Sequence, residues 1–224
     1  MILAAGRGER MRPATDRVPK PLLPVAGKPL IVWLIERLTQ SGIVEIVVNV
    51  SHLGALIEDA LGDGAAFGAH IAYSREAQAL ETAGGIAGAL PLLGDTPFLA
   101  VNGDIYTDFE FGRLEASARA LASGGPLAHL VLVDNPPHHP QGDFALEDGR
   151  VAHHGQRLLT FSGIGVYHPA LFASVVRGSR HQLAALLREP IAARRVRGER
   201  YGGTWVDVGT PGRLADLERL LSTR

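Results

Sequence analysis

The residues best placed to do chemistry come first in the chain. Ile2-Leu3-Ala4-Ala5 is apolar and runs directly into Gly6-Arg7-Gly8-Glu9-Arg10-Met11-Arg12-Pro13. Glycines directly after a strand let backbone N–H groups approach phosphate oxygens closely. Arg10 and Arg12 add positive charge, and Lys20, stiffened between Pro19 and Pro21, adds more. Together these residues predict a cradle for a polyphosphate. Two familiar phosphate motifs are excluded. A dinucleotide fingerprint needs Gly or Ala where Met11 stands, and a P-loop needs Gly-Lys-Ser/Thr where Gly27-Lys28 meets Pro29. An isolated Gly-x-Gly would equally suit an ordinary surface turn.

Two aspartates could complete such a site. Asp104 ends an apolar strand in Phe98-Leu-Ala-Val-Asn-Gly-Asp-Ile105, and Asp207 follows Thr204-Trp-Val. Both are expected at strand ends, on the side of the opening loop. Mg²⁺ is usually held by one or two carboxylates plus substrate phosphates, so it is the expected cofactor. Taken singly, either aspartate would also serve as a helix cap or turn residue.

Positioning these groups requires strands that end together. Ile43 to Val50, Leu99 to Val101 and Leu127 to Val133 read as strands. Between them Leu30 to Leu38, Leu53 to Leu61, Thr82 to Leu90 and Phe109 to Leu121 read as amphipathic helices. This alternation implies βαβ units and a parallel sheet, whose strands are apolar on both faces. Farther on, Phe144 to Val151 predicts a hairpin around Glu147-Asp148-Gly149, and Phe161 to Tyr167 a strand. Pro169 and Pro211 sit where first helical turns would begin. The expected fold is α/β: a doubly wound, Rossmann-like, mostly parallel sheet with a small, partly antiparallel inserted lobe. The ligand is expected at the carboxyl ends of the strands.

Composition bounds the rest. The 224 residues, 46% hydrophobic and 20% charged, suit one globular domain spanning 1–224. A formal net charge of −1 gives no basic excess for nucleic acid. With no cysteine there is no disulfide, thiolate zinc site or cysteine nucleophile. No apolar run approaches the roughly 20 residues that span a bilayer. The short apolar N-terminus lacks a basic region before it, so a cytoplasmic protein is expected. Met1 already falls inside the first strand, which leaves room for a few residues upstream.

The opening pattern extends far beyond one loop. Leu3-Ala-Ala-Gly-Arg-Gly-Glu-Arg-Met-Arg-Pro-Ala-Thr15, Pro19-Lys-Pro-Leu-Leu-Pro-Val25 and Gly27-Lys-Pro-Leu-Ile31 resemble the sugar-1-phosphate nucleotidyltransferase family. Val101-Asn-Gly-Asp104 and Trp205-Val-Asp-Val-Gly-Thr-Pro211 carry the resemblance over nearly the whole chain. It implies a reaction of a nucleoside triphosphate with a sugar-1-phosphate. The sugar phosphate oxygen attacks the α-phosphorus in line, and pyrophosphate leaves. Positioning and charge neutralisation dominate such displacements. By this resemblance Ala4, Ala5, Gly6 and Gly8 bind nucleotide, Arg10 and Lys20 stabilise phosphate charge, and Asp104 and Asp207 ligate Mg²⁺.

The same resemblance assigns Glu76-Ala-Gln-Ala-Leu-Glu-Thr-Ala-Gly-Gly-Ile86 to the nucleoside, with Glu76, Glu81, Thr82 and Gly84 as candidates and Glu76 or Gln78 to pair with the base edge. Thr82 is expected as an N-cap, while Ala83-Gly84-Gly85 would also suit close helix packing. A carboxylate would accept from uracil or guanine, so the base stays open between UTP and GTP. Leu80-Glu-Thr-Ala-Gly-Gly-Ile86, Leu130 to Phe144 and Thr160-Phe-Ser-Gly-Ile-Gly-Val166 resemble one branch, the N-acetylmuramate-1-phosphate uridylyltransferases of peptidoglycan (cell-wall) recycling. That branch implies sugar contacts from Asn102, Asp143, Ser162 and Gly163, although Asp143 would also suit an exposed hairpin edge. Many family members carry a lysine after the hairpin. Here Val151-Ala-His-His-Gly-Gln-Arg157 has none, leaving Arg157 or His154 as replacements, or the metal, Arg10 and Lys20 alone.

Other readings keep the fold with different outcomes. One is a guanylyltransferase for mannose-1-phosphate or another hexose phosphate. Another is an inactive nucleotide-sugar-binding regulatory protein, against which Arg10, Lys20, Asp104 and Asp207 are all present. The pairs His138-His139 and His153-His154 lack zinc-site spacing. Arg194-Arg195-Val196-Arg197 is expected as a solvated helix end rather than a nucleic-acid patch. Small-molecule substrates, no membrane contact and a monomer are the expected associations.

Overall fold

The computed structural model describes residues 1–222. In chain order its first elements are β1 (Ile2–Leu3), β2 (Pro24–Val25), β3 (Lys28–Pro29), α1 (Leu30–Gln40), β4 (Glu45–Val50), α2 (Gly54–Leu61) and β5 (His70–Arg75). There follow α3 (Glu81–Leu93), β6 (Phe98–Asn102), β7 (Ile105–Thr107), α4 (Glu115–Ala122) and β8 (Ala128–Val133). The chain ends with β9 (Phe144–Glu147), β10 (Arg150–Ala152), β11 (Leu158–Tyr167), α5 (Leu183–Ala192), β12 (Val196–Tyr201), β13 (Trp205–Asp207) and α6 (Pro211–Ser222). No described helix is long and apolar enough to cross a membrane.

Two compact units share these elements. The first comprises Met1–Ala79, Asn102–Gly112 and the stretch from Thr204. Its parallel strands run in the order β5-β4-β1, with Ile2 opposite Val48 and Val47 opposite Ala72. β4 is buried from Ile46 to Val50, as a strand covered on both faces should be. β7 and β13 form a short antiparallel ladder that sets Asp207 opposite Ile105. Beneath it lies a core of Val25, Leu30, Tyr106, Val208 and Leu217, with Trp33 packed against it. Trp33 meets Tyr106 edge to face, centroids 5.8 Å apart. Burying side chains of this size stabilises by about 1.5–3 kcal/mol each, and this cluster anchors α6 through Leu217.

The second unit comprises Leu80–Val101 and Arg113–Gly203. Its strands run β6-β11-β8-β12-β10-β9, and only β8 and β12 pair in parallel. This is the antiparallel character expected of the later chain, and it also takes in β6. The hairpin β9–β10 turns at Asp148-Gly149, both with positive φ, and Val151 faces Leu146. β11 carries a register shift between Phe161 and Ile164, where Gly163 has φ +79. Bulges of this kind bend a strand and re-aim its residues.

Most expected helices form within two or three residues of their predicted ends. The exception is Phe109 to Leu121, which splits into a 3₁₀ turn at Phe111–Leu114 followed by α4. Pro211 does open α6, and Pro169 opens a 3₁₀ turn capped by His168, whose Nδ1 accepts the Ala170 N–H at 3.1 Å. Arg194 and Arg195 follow α5, but Val196 and Arg197 already belong to β12, which corrects the expectation of one solvated helix end. Outward charged residues alternating with buried Val196 and Gly198 disguise that strand.

Candidate active site

The loop after β1 is shaped by two glycines with different tasks. Gly8 has φ +67, and its carbonyl accepts both the Met11 N–H at 2.9 Å and the Thr15 hydroxyl at 2.8 Å. A Cβ on Gly8 would stand 3.0 Å from Thr15 Cγ2 and 3.1 Å from Lys20 Cβ. Both the conformation and the crowding therefore select glycine. At Gly6 the added Cβ would meet nothing within 4 Å, so the loop is open there, as a ligand-facing backbone should be. Ala4 and Ala5 are buried, and the Ala4 N–H donates to Asn49 Oδ1 at 2.7 Å.

Lys20 is only 7% exposed. Burial of its stem fixes the course of the side chain, and its Nζ donates to Asp104 Oδ2 at 2.5 Å. Asp104 stands just before β7, and its carbonyl accepts the Val208 N–H at 2.8 Å. The β7–β13 ladder thus brings the chain at Asp104 beside the chain at Asp207, although they are far apart in sequence. Gly103 permits this turn: its N–H donates to the Leu3 carbonyl at 2.8 Å, and a Cβ would stand 2.8 Å from the same oxygen. Asp207 Oδ2 accepts from Arg213 Nη1 at 2.5 Å. A Cβ on Gly209 would overlap the Arg213 guanidinium and stand 3.2 Å from Arg10 Nη2. Arg10, Lys20, Asp104, Asp207 and Arg213 are therefore assembled around one end of the first unit.

The nucleoside candidates fall into two groups. Glu76 is 9% exposed, and its Oε1 accepts from Asn49 Nδ2 at 2.6 Å. Its N–H donates to the Val50 carbonyl, so the residue after β5 is locked to the end of β4. In the second unit Glu81 opens α3 with φ +62, a strained conformation for a residue with a side chain. Arg180 holds it, with Nη2 2.6 Å from Oε1. Thr82 lies inside the first turn of α3 and is not the cap: the cap position is Leu80, with no side-chain hydrogen bond. The helix end is instead satisfied by backbone, since Ala83 and Gly84 N–H groups both donate to the His181 carbonyl. A Cβ on Gly84 would overlap the Ser179 carbonyl, so this glycine serves close packing.

Of the sugar candidates, Asn102 ends β6, half-buried. Asp143 is tied at both oxygens, Oδ2 to the Phe161 N–H at 2.8 Å and Oδ1 to His139 Nε2 at 3.0 Å. Ser162 is 1% exposed; its hydroxyl donates to the Val131 carbonyl at 2.7 Å and accepts the Ile164 N–H at 3.2 Å. Its side chain thus completes the β11 bulge beside Gly163. Arg157 stands with Arg200 on Asp134, at 2.7 and 3.0 Å from Oδ1. Arg200, and behind it Arg157, hold that carboxyl below the usual carboxylate range. His154 is exposed.

Sequence reasoning missed Asn49 and Arg213. Asn49 had a signal, a lone amide between buried valines in Val48-Asn49-Val50. Arg213 had a weaker one, a cation six residues after Asp207 and one turn into α6. Among the described residues no group of three or more His, Asp or Glu side chains forms a metal cage. The donor set that exists is two carboxylates, Asp207 at the end of β13 and Asp104 just before its partner strand β7. Hard oxygens of that number suit Mg²⁺ sharing its coordination with phosphates, so the residues fit the ion.

The family model described as nucleotidyl transferase matches residues 1–223. The N-acetylmuramate alpha-1-phosphate uridylyltransferase of Neisseria meningitidis serogroup B is 55% identical, covering 98% of this chain and 96% of that protein. Its namesake from Caulobacter vibrioides is 36% identical over the same shares. Among solved structures, a putative glucose-1-phosphate thymidylyltransferase from Bacillus anthracis superposes with a TM-score of 0.83. At 20% identity, over 98% of this chain and 93% of that one, it speaks for a common α/β fold. The glycine loop, the two aspartates at the β7–β13 ladder and the match over residues 1–223 agree, and the chain belongs to the nucleotidyl transferase family.

Proposed function

We propose that this enzyme joins UTP and N-acetylmuramic acid 1-phosphate into UDP-N-acetylmuramic acid and pyrophosphate. The observation that carries the reading is the 55% identity over 98% of the chain to a uridylyltransferase of that name. The site supports the chemistry. A sugar phosphate oxygen forms a new bond to the α-phosphorus as the bond to the pyrophosphate oxygen breaks, so no covalent enzyme intermediate is needed. Loop amides from Gly6 to Gly8 and the Arg10 guanidinium bind the triphosphate oxygens. Lys20 stabilises charge that develops on the α-phosphate and leaving group. Asp104 and Asp207 would hold Mg²⁺, which when bound neutralises phosphate charge. Preorganised charges of this kind contribute about 3–4 kcal/mol each when placed at a developing anion.

Glu76 or its neighbour Gln78 reads the uracil edge, and Glu81, Thr82 and Gly84 shape the nucleoside side. Asn102, Asp143 and Gly163 bind the sugar, Asp143 through a carboxylate already oriented by Phe161 and His139. The Arg157–Asp134–Arg200 group is the cation source nearest in sequence to the family's missing lysine. The chain acts as one 1–224 domain, as a monomer in the cytoplasm, within peptidoglycan recycling.

A pyrophosphate-release assay with each nucleoside triphosphate against a panel of sugar 1-phosphates tests this. The expected result is Mg²⁺-dependent release only with UTP and N-acetylmuramic acid 1-phosphate. Release only with GTP and mannose 1-phosphate would overturn the substrate assignment, and silence throughout would favour a binding protein.

A further inference from the structure

Arg213 is absent from the set of residues that the opening loop and the two aspartates define, yet it is ion-paired with Asp207. Its Nη1 lies 2.5 Å from Asp207 Oδ2, and the two side chains are only 15% and 26% exposed. Such a desolvated pair is much stronger than a surface one. Thr210 Oγ1, 3.4 Å from Arg213 Nε, steadies the stem at the first turn of α6. The guanidinium lies over Gly209, the space a side chain there would fill, and Arg10 Nη2 lies 3.2 Å from that same point. Two guanidinium groups therefore converge over one glycine. Like charges held this close repel unless anions accompany them. Asp207 supplies one negative charge, and a polyphosphate would supply the rest in the planar, two-oxygen form that guanidinium groups match.

The other carboxylate shows the same arrangement, with Lys20 Nζ on Asp104 Oδ2. Each candidate metal ligand thus carries its own internal cation. A divalent ion arriving alone meets carboxylates whose charge is already compensated. An ion arriving with a triphosphate brings a new anionic partner for the displaced cations.

We propose that Arg213 is an exchangeable counter-ion: it neutralises Asp207 in the ligand-free site and passes to nucleotide phosphate when metal and nucleotide bind. The exchange makes metal and nucleotide bind with positive coupling, and by linkage each raises the other's affinity equally. The inference rests on Asp207 being a metal ligand, as in the proposed function.

The test uses the full chain without sugar phosphate, so that nothing turns over. Binding of Mn²⁺ alone is read from the free-ion paramagnetic signal without UTP, and binding of the preformed Mn²⁺–UTP complex by calorimetry. Arg213→Met should bind Mn²⁺ alone about tenfold more tightly and Mn²⁺–UTP about tenfold more weakly. Arg213→Lys keeps the charge and should leave binding of Mn²⁺ alone within about threefold of the parent protein. A residue that merely props up the site would weaken both affinities together, and that outcome, or unchanged binding of Mn²⁺ alone, overturns the counter-ion. Asp207→Asn separates the two ideas: it should weaken binding of Mn²⁺ alone and of Mn²⁺–UTP, each by about tenfold or more. If it binds both as the parent protein does, the metal assignment fails whatever Arg213 does.

Discussion

Asn49 occupies a position between three parts of the chain. Its amide oxygen takes the Ala4 N–H and its amide nitrogen gives to Glu76, 45 and 27 residues away. One buried side chain thereby ties the phosphate loop's root to the candidate base reader. Asn49→Ala takes the acceptor from the buried Ala4 N–H and one donor from the Glu76 carboxylate, and a lost buried partner of this kind costs about 1–3 kcal/mol. Urea unfolding should show a loss of about 2 kcal/mol or more. An unchanged midpoint would mean that water or rearrangement replaces the amide. At this scale the sequence was uneven as a guide. Lys20 and Asp104 stood out because their chemistry is signalled by adjacent residues, prolines in one case and a strand end in the other. Asn49 and Arg213 did not, because their partners are distant and only folding brings them near. Ser162 shows the same limit: its hydroxyl donates to the Val131 carbonyl, 31 residues away in the chain.

Among the elements, the continuous apolar runs were legible and the disguised strands were not. β4 is apolar because both faces are covered, so composition alone reveals it. β5, outermost in the order β5-β4-β1, alternates exposed and half-buried residues, and β12 carries Arg197, Glu199 and Arg200. Neither has a run to find. The start of α3 misled because capping was assigned to a side chain, Thr82, whereas the Ser179–His181 backbone supplies the carbonyl. Gly84→Ala tests this docking directly. Its methyl would overlap the Ser179 carbonyl, and overpacking against backbone costs about 1–3 kcal/mol. Thermal unfolding should shift down accordingly, and a neutral result would mean that the 179–181 segment yields easily.

For the whole molecule, the assignment of chemistry follows the two units. The first unit contains the loop, Lys20, Asp104, Asp207 and Arg213, so the phosphate chemistry can be stated from residues that share one compact body. The second holds Glu81, Asp143 and Gly163, where choice of substrate is proposed to reside. This division matches where the sequence signals lie: the reaction type is carried by the opening residues, and the N-acetylmuramate branch by the later segments Leu80 to Ile86, Leu130 to Phe144 and Thr160 to Val166. The proposed phosphate contacts come from backbone and a few fixed charges adjacent in sequence, whereas the proposed sugar contact Asp143 takes its orientation from Phe161 and His139, which only folding brings to it. The central claim is attack at the α-phosphorus of UTP. The measurement that tests it most directly follows label from α-³²P-UTP in the presence of N-acetylmuramic acid 1-phosphate and Mg²⁺. Label should enter the UDP-sugar and leave pyrophosphate unlabelled. Label in pyrophosphate, or none in a sugar product, would contradict it.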